Sequence, residues 1–76
     1  MQELLIAIAK GLVENPEDVT VTFEEGEDDS LIYHLHVAED DKGRVIGKQG
    51  RIAKAIRVVM RAAATRNNQK IMVEID

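Results

Sequence analysis

The stretch that decides the fold is GRVIGKQGRIAKAIR, residues 43–57. It contains three of the five glycines of the chain, basic residues at regular intervals and no acidic residue. Apolar residues recur with helical spacing on both sides of Gly47 and Gly50, so these glycines predict a junction between two helices. Glycine at both ends of the junction allows the backbone to turn sharply and leaves its surface free of side chains.

A helix and a two-stranded hairpin are predicted before this junction. ELLIAIAKGLVEN carries apolar residues on one helical face, and Asn15–Pro16 ends the helix because the residue before proline avoids helical angles. DVTVTFEE and LIYHLHVA alternate apolar and polar residues, which predicts two strands joined in an antiparallel hairpin by a short acidic turn. The residues expected in the core are Leu4, Leu5, Ile8, Leu12, Val19, Val21, Phe23, Leu31, Tyr33, Leu35 and Val37.

Two helices and a third strand are predicted around and after the glycines. EDDKGRVIG suits one or two helical turns, which Asp40 or Asp41 would begin as the N-cap. After Gly50 the apolar spacing predicts a long helix, and IMVEI predicts a last strand. The long helix is expected to bury Ile52, Ala55, Ile56, Val59 and Ala63 and to expose Arg51, Lys54, Arg57 and Arg61.

The order helix-strand-strand-helix-helix-strand predicts one α+β domain, residues 1–76. A connection that contains two helices favours a parallel partner for the second strand, because parallel strands need a long crossover. We therefore expect two layers, a three-stranded mixed sheet with the helices on one face. A chain of 76 residues leaves no room for a second core.

The formal net charge of −4 hides an uneven distribution of charge along the chain. Residues 1–41 contain twelve acidic residues and one basic residue, whereas residues 42–70 contain nine basic residues and no acidic one. A solvated helix usually interleaves acids with its bases, so the acid-free stretch predicts a surface that meets a polyanion. Without cysteine or a membrane-length apolar window, we expect a reducing, cytoplasmic setting and no membrane contact.

The loop Gly47-Lys48-Gln49-Gly50 is predicted to contact the sugar-phosphate backbone of a nucleic-acid strand. The second helix begins there, so its free amides and the positive end of its dipole point at the loop, and Lys48 adds an ammonium group. The residues alone leave two alternatives open. One is a nucleotide P-loop, although the spacing from Gly43 is one residue short and Gln49 replaces the hydroxyl that binds Mg²⁺. The other is a helical hairpin with no ligand.

VIGKQG followed by RIAKAIR resembles the core of KH domains, which clamp about four nucleotides with a G-x-x-G loop. The extra helix and strand before this core resemble the type II form. With the length and the NPEDV turn, the whole chain resembles the small bacterial single-KH family called KhpA or YlqC-like. The acidic hairpin EEGEDD is its main departure from that family.

This resemblance implies a single-stranded RNA-binding protein, an RNA chaperone or post-transcriptional regulator, and neither an enzyme nor a cofactor-binding protein. It also implies a partner, a second and larger KH protein of the Jag type. The alternative is a KH-fold protein-interaction module without significant RNA binding, against which Lys48 argues because an acid there would repel phosphate.

The resemblance also implies which residues bind RNA. The backbone clamp is Gly47, Lys48, Gln49 and Gly50, with Arg51 and Lys54 near the phosphates and Val45, Ile46 and Ile52 around an apolar cleft for the bases. For Ile56 we expect core packing instead. Phe23 and Tyr33 are the only aromatic residues and are both expected to point inward. Stacking platforms are therefore excluded, and the bases would be recognised by hydrogen bonds along their edges.

Two other features invite a functional interpretation. His34 and His36 share the outward face of a strand but lack a third ligand, so we expect surface or protein-contact residues and no metal site. Val58 falls on the exposed, charged face of the long helix, which predicts a homodimer or a heterodimer contact there. The outward sheet face of Ile32, His34 and His36 is the competing surface. No nucleophile–base pair is evident, so no catalytic residue is predicted.

Overall fold

The backbone follows the predicted order of elements. The computed structural model describes residues 1–75, and Lys48 by its backbone alone. Short 3₁₀ turns at Pro16–Asp18 and Glu27–Asp29 precede the first two strands. The main elements are helix α1 (Gln2–Leu12), strand β1 (Thr20–Glu25), strand β2 (Leu31–His36), helix α2 (Glu39–Arg66) and strand β3 (Ile71–Ile75).

The three strands form one mixed sheet in the order β1-β2-β3. β1 and β2 are antiparallel, with Phe23 opposite Tyr33. β2 and β3 are parallel, with Tyr33 beside Val73. This pairing confirms that the long connection through α2 returns the chain to a parallel neighbour, and it makes β3 an edge strand.

Helix α2 is divided in two by a sharp change of backbone direction inside the glycine loop. Gln49 (φ 66°) and Gly50 (φ 67°) both adopt left-handed angles, which no regular right-handed helix contains. The segments 39–48 and 51–66 are thus separate helices, and the predicted order with three helices is confirmed. Of the two loop glycines, Gly50 is the one with a positive φ, so the turn favours glycine there and not at Gly47.

The start of α2 differs from the prediction that Asp40 or Asp41 is its N-cap. Ala38 is the N-cap residue and no side chain caps the helix. Asp41 is only 2% exposed. Its carboxylate accepts hydrogen bonds from the backbone N–H groups of Glu14 and Asn15, both at 3.1 Å, and from the Asn15 side chain at 3.2 Å. The N-cap prediction is wrong because this carboxylate satisfies the amides of the turn after α1 instead.

One hydrophobic core lies between the sheet and the helices, and most of the predicted strand residues are in it. The buried cluster is Leu5, Ala9, Val19, Val21, Tyr33, Leu35, Val37, Ile56, Met60 and Val73. Phe23 is an exception, since it is 55% exposed. The alternation of apolar and polar residues correctly predicted that Phe23 lies on the same face of the sheet as Tyr33, because the two rings are 5.9 Å apart. However, α1 begins beside Val21, where the Gln2 side chain donates to the Val21 carbonyl, and so it leaves Phe23 uncovered.

The buried faces of both long helices are rotated from those predicted. In α1, Leu5 and Ala9 are buried, while Leu4 and Leu12 are exposed. In the second segment of α2, the buried residues are Ala53, Ile56, Met60 and Ala64, while Ala55 and Val59 are exposed. Each helix carries two adjoining apolar stripes, and the buried stripe is the neighbour of the one predicted. The prediction was therefore wrong for Leu4, Leu12, Ala55 and Val59.

Candidate nucleic-acid interface

The glycine loop presents its backbone to open space. A Cβ atom placed on Gly47 or on Gly50 would meet no atom within 4 Å outside the loop's own neighbours and helix backbone. Gln49, between them, is exposed. The peptide groups of the loop are thus accessible to a ligand as bulky as a sugar-phosphate chain. The side chain of Lys48 lies outside the described structure, so its contact with a phosphate stays a prediction.

The loop also marks the start of the helical segment 51–66, whose first amides have no partner inside the helix. Arg51 and Lys54, in the first turns of this segment, are both exposed. Free amides, the positive end of the helix dipole and two cationic side chains therefore lie close together. This combination favours a bound anion such as a phosphate.

The three apolar residues predicted around the base cleft have different surroundings. Val45 is 0% exposed and offers no surface to a ligand in this conformation. Ile52 is partly buried and packs against the core. Ile46, in contrast, is 51% exposed beside the loop. Direct contact with a base is thus open to Ile46 and Ile52, while Val45 is buried.

A groove along the free edge of β3 adds two arginines that the predicted site did not include. Arg57, Arg61, Ile71, Met72 and Val73 line this groove. Arg57 Nε donates to the Val73 carbonyl oxygen at 3.3 Å, so it satisfies one backbone group of the edge strand. The unpaired backbone groups of an edge strand suit hydrogen bonding to base edges. The sequence contained one signal for this groove, which is that IMVEI is the last predicted strand and directly follows the basic helix.

Arg44 is a further basic residue near the loop that sequence reasoning missed. Its guanidinium forms an exposed ion pair with the Glu14 carboxylate, just after α1. Arg44 also lines a groove with Gly43, Gly47 and Arg51. It therefore lies on the α1 side of the junction, whereas Arg57 faces β3. Arg44 could have been found from the sequence, because it lies within the acid-free stretch, residues 42–70.

The buried carboxylate of Asp41 fixes the position of Glu14 relative to this groove. Burial acts to raise the pKa of Asp41, but the hydrogen bonds from Glu14 and Asn15 and the nearby charge of Arg44 outweigh it. The pKa is therefore below its usual value, and the group is ionised at neutral pH. An ionised Asp41 holds the turn after α1 against α2, next to Arg44.

The outward face of the sheet carries a set of side-chain contacts centred on His34. Its Nε2 lies 3.0 Å from Glu24 Oε1 and its Nδ1 lies 3.4 Å from Glu74 Oε2, so the contact spans all three strands. The two ring nitrogens face different carboxylates and do not converge on one point.

Among the described side chains, no group of three or more potential ligands is arranged to hold a metal ion. No described helix is long and apolar enough to cross a bilayer.

The mixed sheet, its parallel β2–β3 pair and the open G-x-x-G turn between two helices define a type II KH domain. The chain belongs to the KhpA/KhpB KH-domain family, whose family model matches residues 2–75.

Curated relatives cover the chain almost completely. RNA-binding protein KhpA of Clostridium perfringens is 57% identical over 75 residues, which is 99% of each chain. The protein of the same name in Listeria monocytogenes is 56% identical, over 99% of this chain and 97% of its own. The one in Chlamydia pneumoniae is 44% identical, over 99% and 95% respectively. No solved structure gave a significant match.

Proposed function

We propose that this protein binds single-stranded RNA by gripping the sugar-phosphate backbone with Gly47-Lys48-Gln49-Gly50, and that it acts as an RNA chaperone or post-transcriptional regulator. The observation that carries the proposal is the left-handed turn at Gln49–Gly50, which exposes loop peptide groups at the start of a helix. The names of the relatives, which are RNA-binding proteins, support it. The proposal involves binding only, without a catalytic step.

In this mechanism the phosphates and the bases lie on different surfaces. The phosphates lie over the loop, where backbone amides, Arg51 and Lys54 neutralise them. The bases turn away from the loop toward Ile46 and Ile52, and the free edge of β3 recognises their polar edges. Phe23 is exposed, but it lies on β1, with β2 between it and this groove. Recognition therefore rests on aliphatic contact and hydrogen bonds and does not use aromatic stacking.

The test is the double variant Lys48→Asp with Gln49→Asp, which places two carboxylates against the bound phosphates. We expect RNA affinity to fall at least about tenfold, or about 1.4 kcal/mol, with little change in thermal midpoint because the loop is exposed. Gln69→Asp with Lys70→Asp is the matched control, since it makes the same two substitutions beyond the other end of α2. Fluorescence anisotropy with labelled RNA measures both variants.

An unchanged affinity in the loop variant would contradict the clamp. Equal losses in the loop variant and its control would show that only the overall charge matters. If the wild-type protein binds no RNA at all, the interpretation as a protein-interaction module gains support. The ratio of absorbance at 260 and 280 nm, in protein purified without nuclease, gives an early indication.

We also propose that the protein works in pairs, as a homodimer or with a larger KH protein of the Jag type. A single clamp for about four nucleotides, without stacking aromatics, binds RNA weakly, and two linked clamps bind much more tightly. Val58 supports a contact through α2, because it is 65% exposed. It lines an apolar surface groove with Arg61, Ala62 and Thr65. The absence of cysteine is consistent with a cytoplasmic location, which we propose as well.

A further inference from the structure

The groove on the α1 side of the helix junction shares Gly47, Arg51 and Ile52 with the clamp described above and extends beyond it to residues that have no role there. The described residues that line it are Asp40, Gly43, Arg44, Gly47, Arg51 and Ile52. Gly43 and Gly47 are four residues apart on one helical face, so they are neighbours on its surface. A Cβ atom on either would meet nothing within 4 Å outside its own helix, so bare helix backbone is exposed to the groove at both positions.

Two guanidinium groups give this groove its charge. Arg44 and Arg51 lie on different helical segments and line the same groove, and both are exposed. The planar fork of arginine matches the oxygens of a phosphate, and two forks can hold one phosphate from two directions. Asp40 is the one acidic residue among the six, and it lies one turn before Arg44, so it limits the groove at that end.

Glu14 already occupies one of these guanidinium groups with a carboxylate. The ion pair between Arg44 and Glu14 is largely exposed, at 49% and 68% of the two side chains. Exposed pairs of this kind are weak, so an incoming phosphate can replace the carboxylate. The position of Glu14 is nevertheless defined, because its backbone N–H donates to the buried Asp41 carboxylate at 3.1 Å.

We propose that bound RNA continues past the glycine loop into this groove, where Arg44 and Arg51 bind one further phosphate and displace Glu14 from Arg44. The inference rests on the proposed function, because it lengthens the same RNA contact. It makes the footprint longer than the four nucleotides of the clamp. Glu14 then acts as an internal competitor that lowers affinity for RNA long enough to reach the groove.

The first test compares RNA lengths in the variant Arg44→Gln. Random-sequence single-stranded RNA pools of four and of eight nucleotides are titrated, the short pool by NMR at up to millimolar concentration. We expect Arg44→Gln to weaken binding of the long pool at least about fivefold and of the short pool less than about twofold. The slope of log K against log[salt] for the long pool should become shallower by about 0.7, the loss of one phosphate contact.

Arg66→Gln is the matched control for this test. It removes one arginine charge about 22 Å further along α2 than Arg51, well beyond the range of unscreened interaction at physiological salt. Its effect on the long pool should be less than about twofold. Equal losses for the two pools in Arg44→Gln, or equal losses in Arg44→Gln and Arg66→Gln, would overturn the inference.

A second variant tests the competitor and does not depend on Arg44→Gln keeping its fold. Glu14→Gln should tighten binding of the long pool about threefold, and Glu17→Gln, which removes an exposed acid nearby, should tighten it less. Equal effects of Glu14→Gln and Glu17→Gln would overturn the role of Glu14. The variant Lys48→Asp with Gln49→Asp separates the two hypotheses. If that variant keeps full affinity, the clamp itself fails. If it loses affinity while Arg44→Gln binds the long pool normally, only the groove fails.

Discussion

At the scale of single residues, the loop places different demands on its two glycines. Gly50 needs glycine for its conformation, because its φ of 67° lies in the left-handed region. Gly47 has no such angle. Its lack of a side chain instead keeps the surface open between the loop and the groove that Arg44 and Arg51 line. Gln49 takes a left-handed angle without being glycine, which costs roughly 1–2 kcal/mol. Strain at an exposed loop residue is common where a ligand is held.

Alanine at each glycine separates these two demands. Gly50→Ala should lower the free energy of unfolding by about 1 kcal/mol, because alanine is strained at a positive φ. Gly47→Ala should leave stability unchanged or raise it by up to about 1 kcal/mol, since alanine favours the helix. We nevertheless expect Gly47→Ala to weaken RNA binding, because its methyl group lies where the backbone must approach. Urea denaturation and RNA titration of both variants check this, and a stable Gly47→Ala with wild-type affinity would contradict it.

The sequence predicts the loop but not which of its residues bend. The G-x-x-G spacing indicated a turn between helices, and the structure has one. The sequence does not show that Gly50 and not Gly47 has the left-handed angle, because both are glycines flanked by helical patterns. The left-handed angle at Gln49 has no signal in the sequence, because glutamine, unlike glycine, disfavours that conformation. For Phe23, too, the sequence predicted only part of the outcome. The alternation of apolar and polar residues predicted the face of the sheet on which it lies, but its exposure depends on where α1 begins.

At the scale of elements, Asp41 connects α2 to the turn after α1. This connection could not be predicted, because an acid near a helix start is normally assigned to the cap. Its hydrogen bonds join groups 26 and 27 residues apart in sequence. The rotated faces of α1 and α2 have a related cause. Both helices carry apolar residues on two adjoining faces, so periodicity alone does not decide which of the two faces is buried.

The lowered pKa of Asp41 predicts a dependence of stability on pH. Because the folded-state pKa lies below the usual 3.8, the folded protein binds this proton less readily than the unfolded chain does. The stability that Asp41 provides is therefore complete well above pH 3.8 and is lost as the pH falls from there through the folded-state pKa. Asp41→Asn should be less stable than the wild type at pH 7. The difference should shrink at pH 3.

Urea denaturation of both proteins at pH 7 and pH 3 measures this difference. Asp40→Asn is the control, because Asp40 is the exposed neighbour in the same turn. A difference between Asp41→Asn and the wild type that is the same at both pH values would contradict the prediction.

At the scale of the whole molecule, the acidic turn of the hairpin and the glycine loop lie at different ends of the fold. The acidic 3₁₀ turn Glu27–Asp29 lies at the end of the sheet where β3 begins, since Leu31 N–H donates to the Lys70 carbonyl at 2.9 Å. The glycine loop lies at the other end of the helical segment 51–66. An approaching polyanion is thus drawn to the loop and repelled from the hairpin. This polarity could be read from the sequence, because residues 1–41 carry twelve acids and one base, whereas residues 42–70 carry nine bases and no acid.

Salt dependence reports how many phosphates this polarised surface contacts. With about three or four contacts on a single strand, log K should fall against log[salt] with a slope of about −2 to −3. Anisotropy titrations between 50 and 300 mM salt measure it. A slope near zero would show that the basic face does not meet the backbone. A slope steeper than about −6 would indicate two proteins on one strand or a much longer footprint.

Pairing of two domains is the last property of the whole molecule that the structure lets us test. Val58 exposes an apolar side chain in a groove on the outer face of α2, where a charged residue would cost nothing. Burying two such faces against each other would stabilise a dimer and place two clamps on one RNA. We expect the wild type to sediment as a dimer at tens of micromolar and Val58→Glu as a monomer. Ile32→Glu, on the outward sheet face, should remain dimeric. A monomeric wild type would rule out self-association and leave the larger KH protein as the partner, and a dimeric Val58→Glu would move the contact off α2.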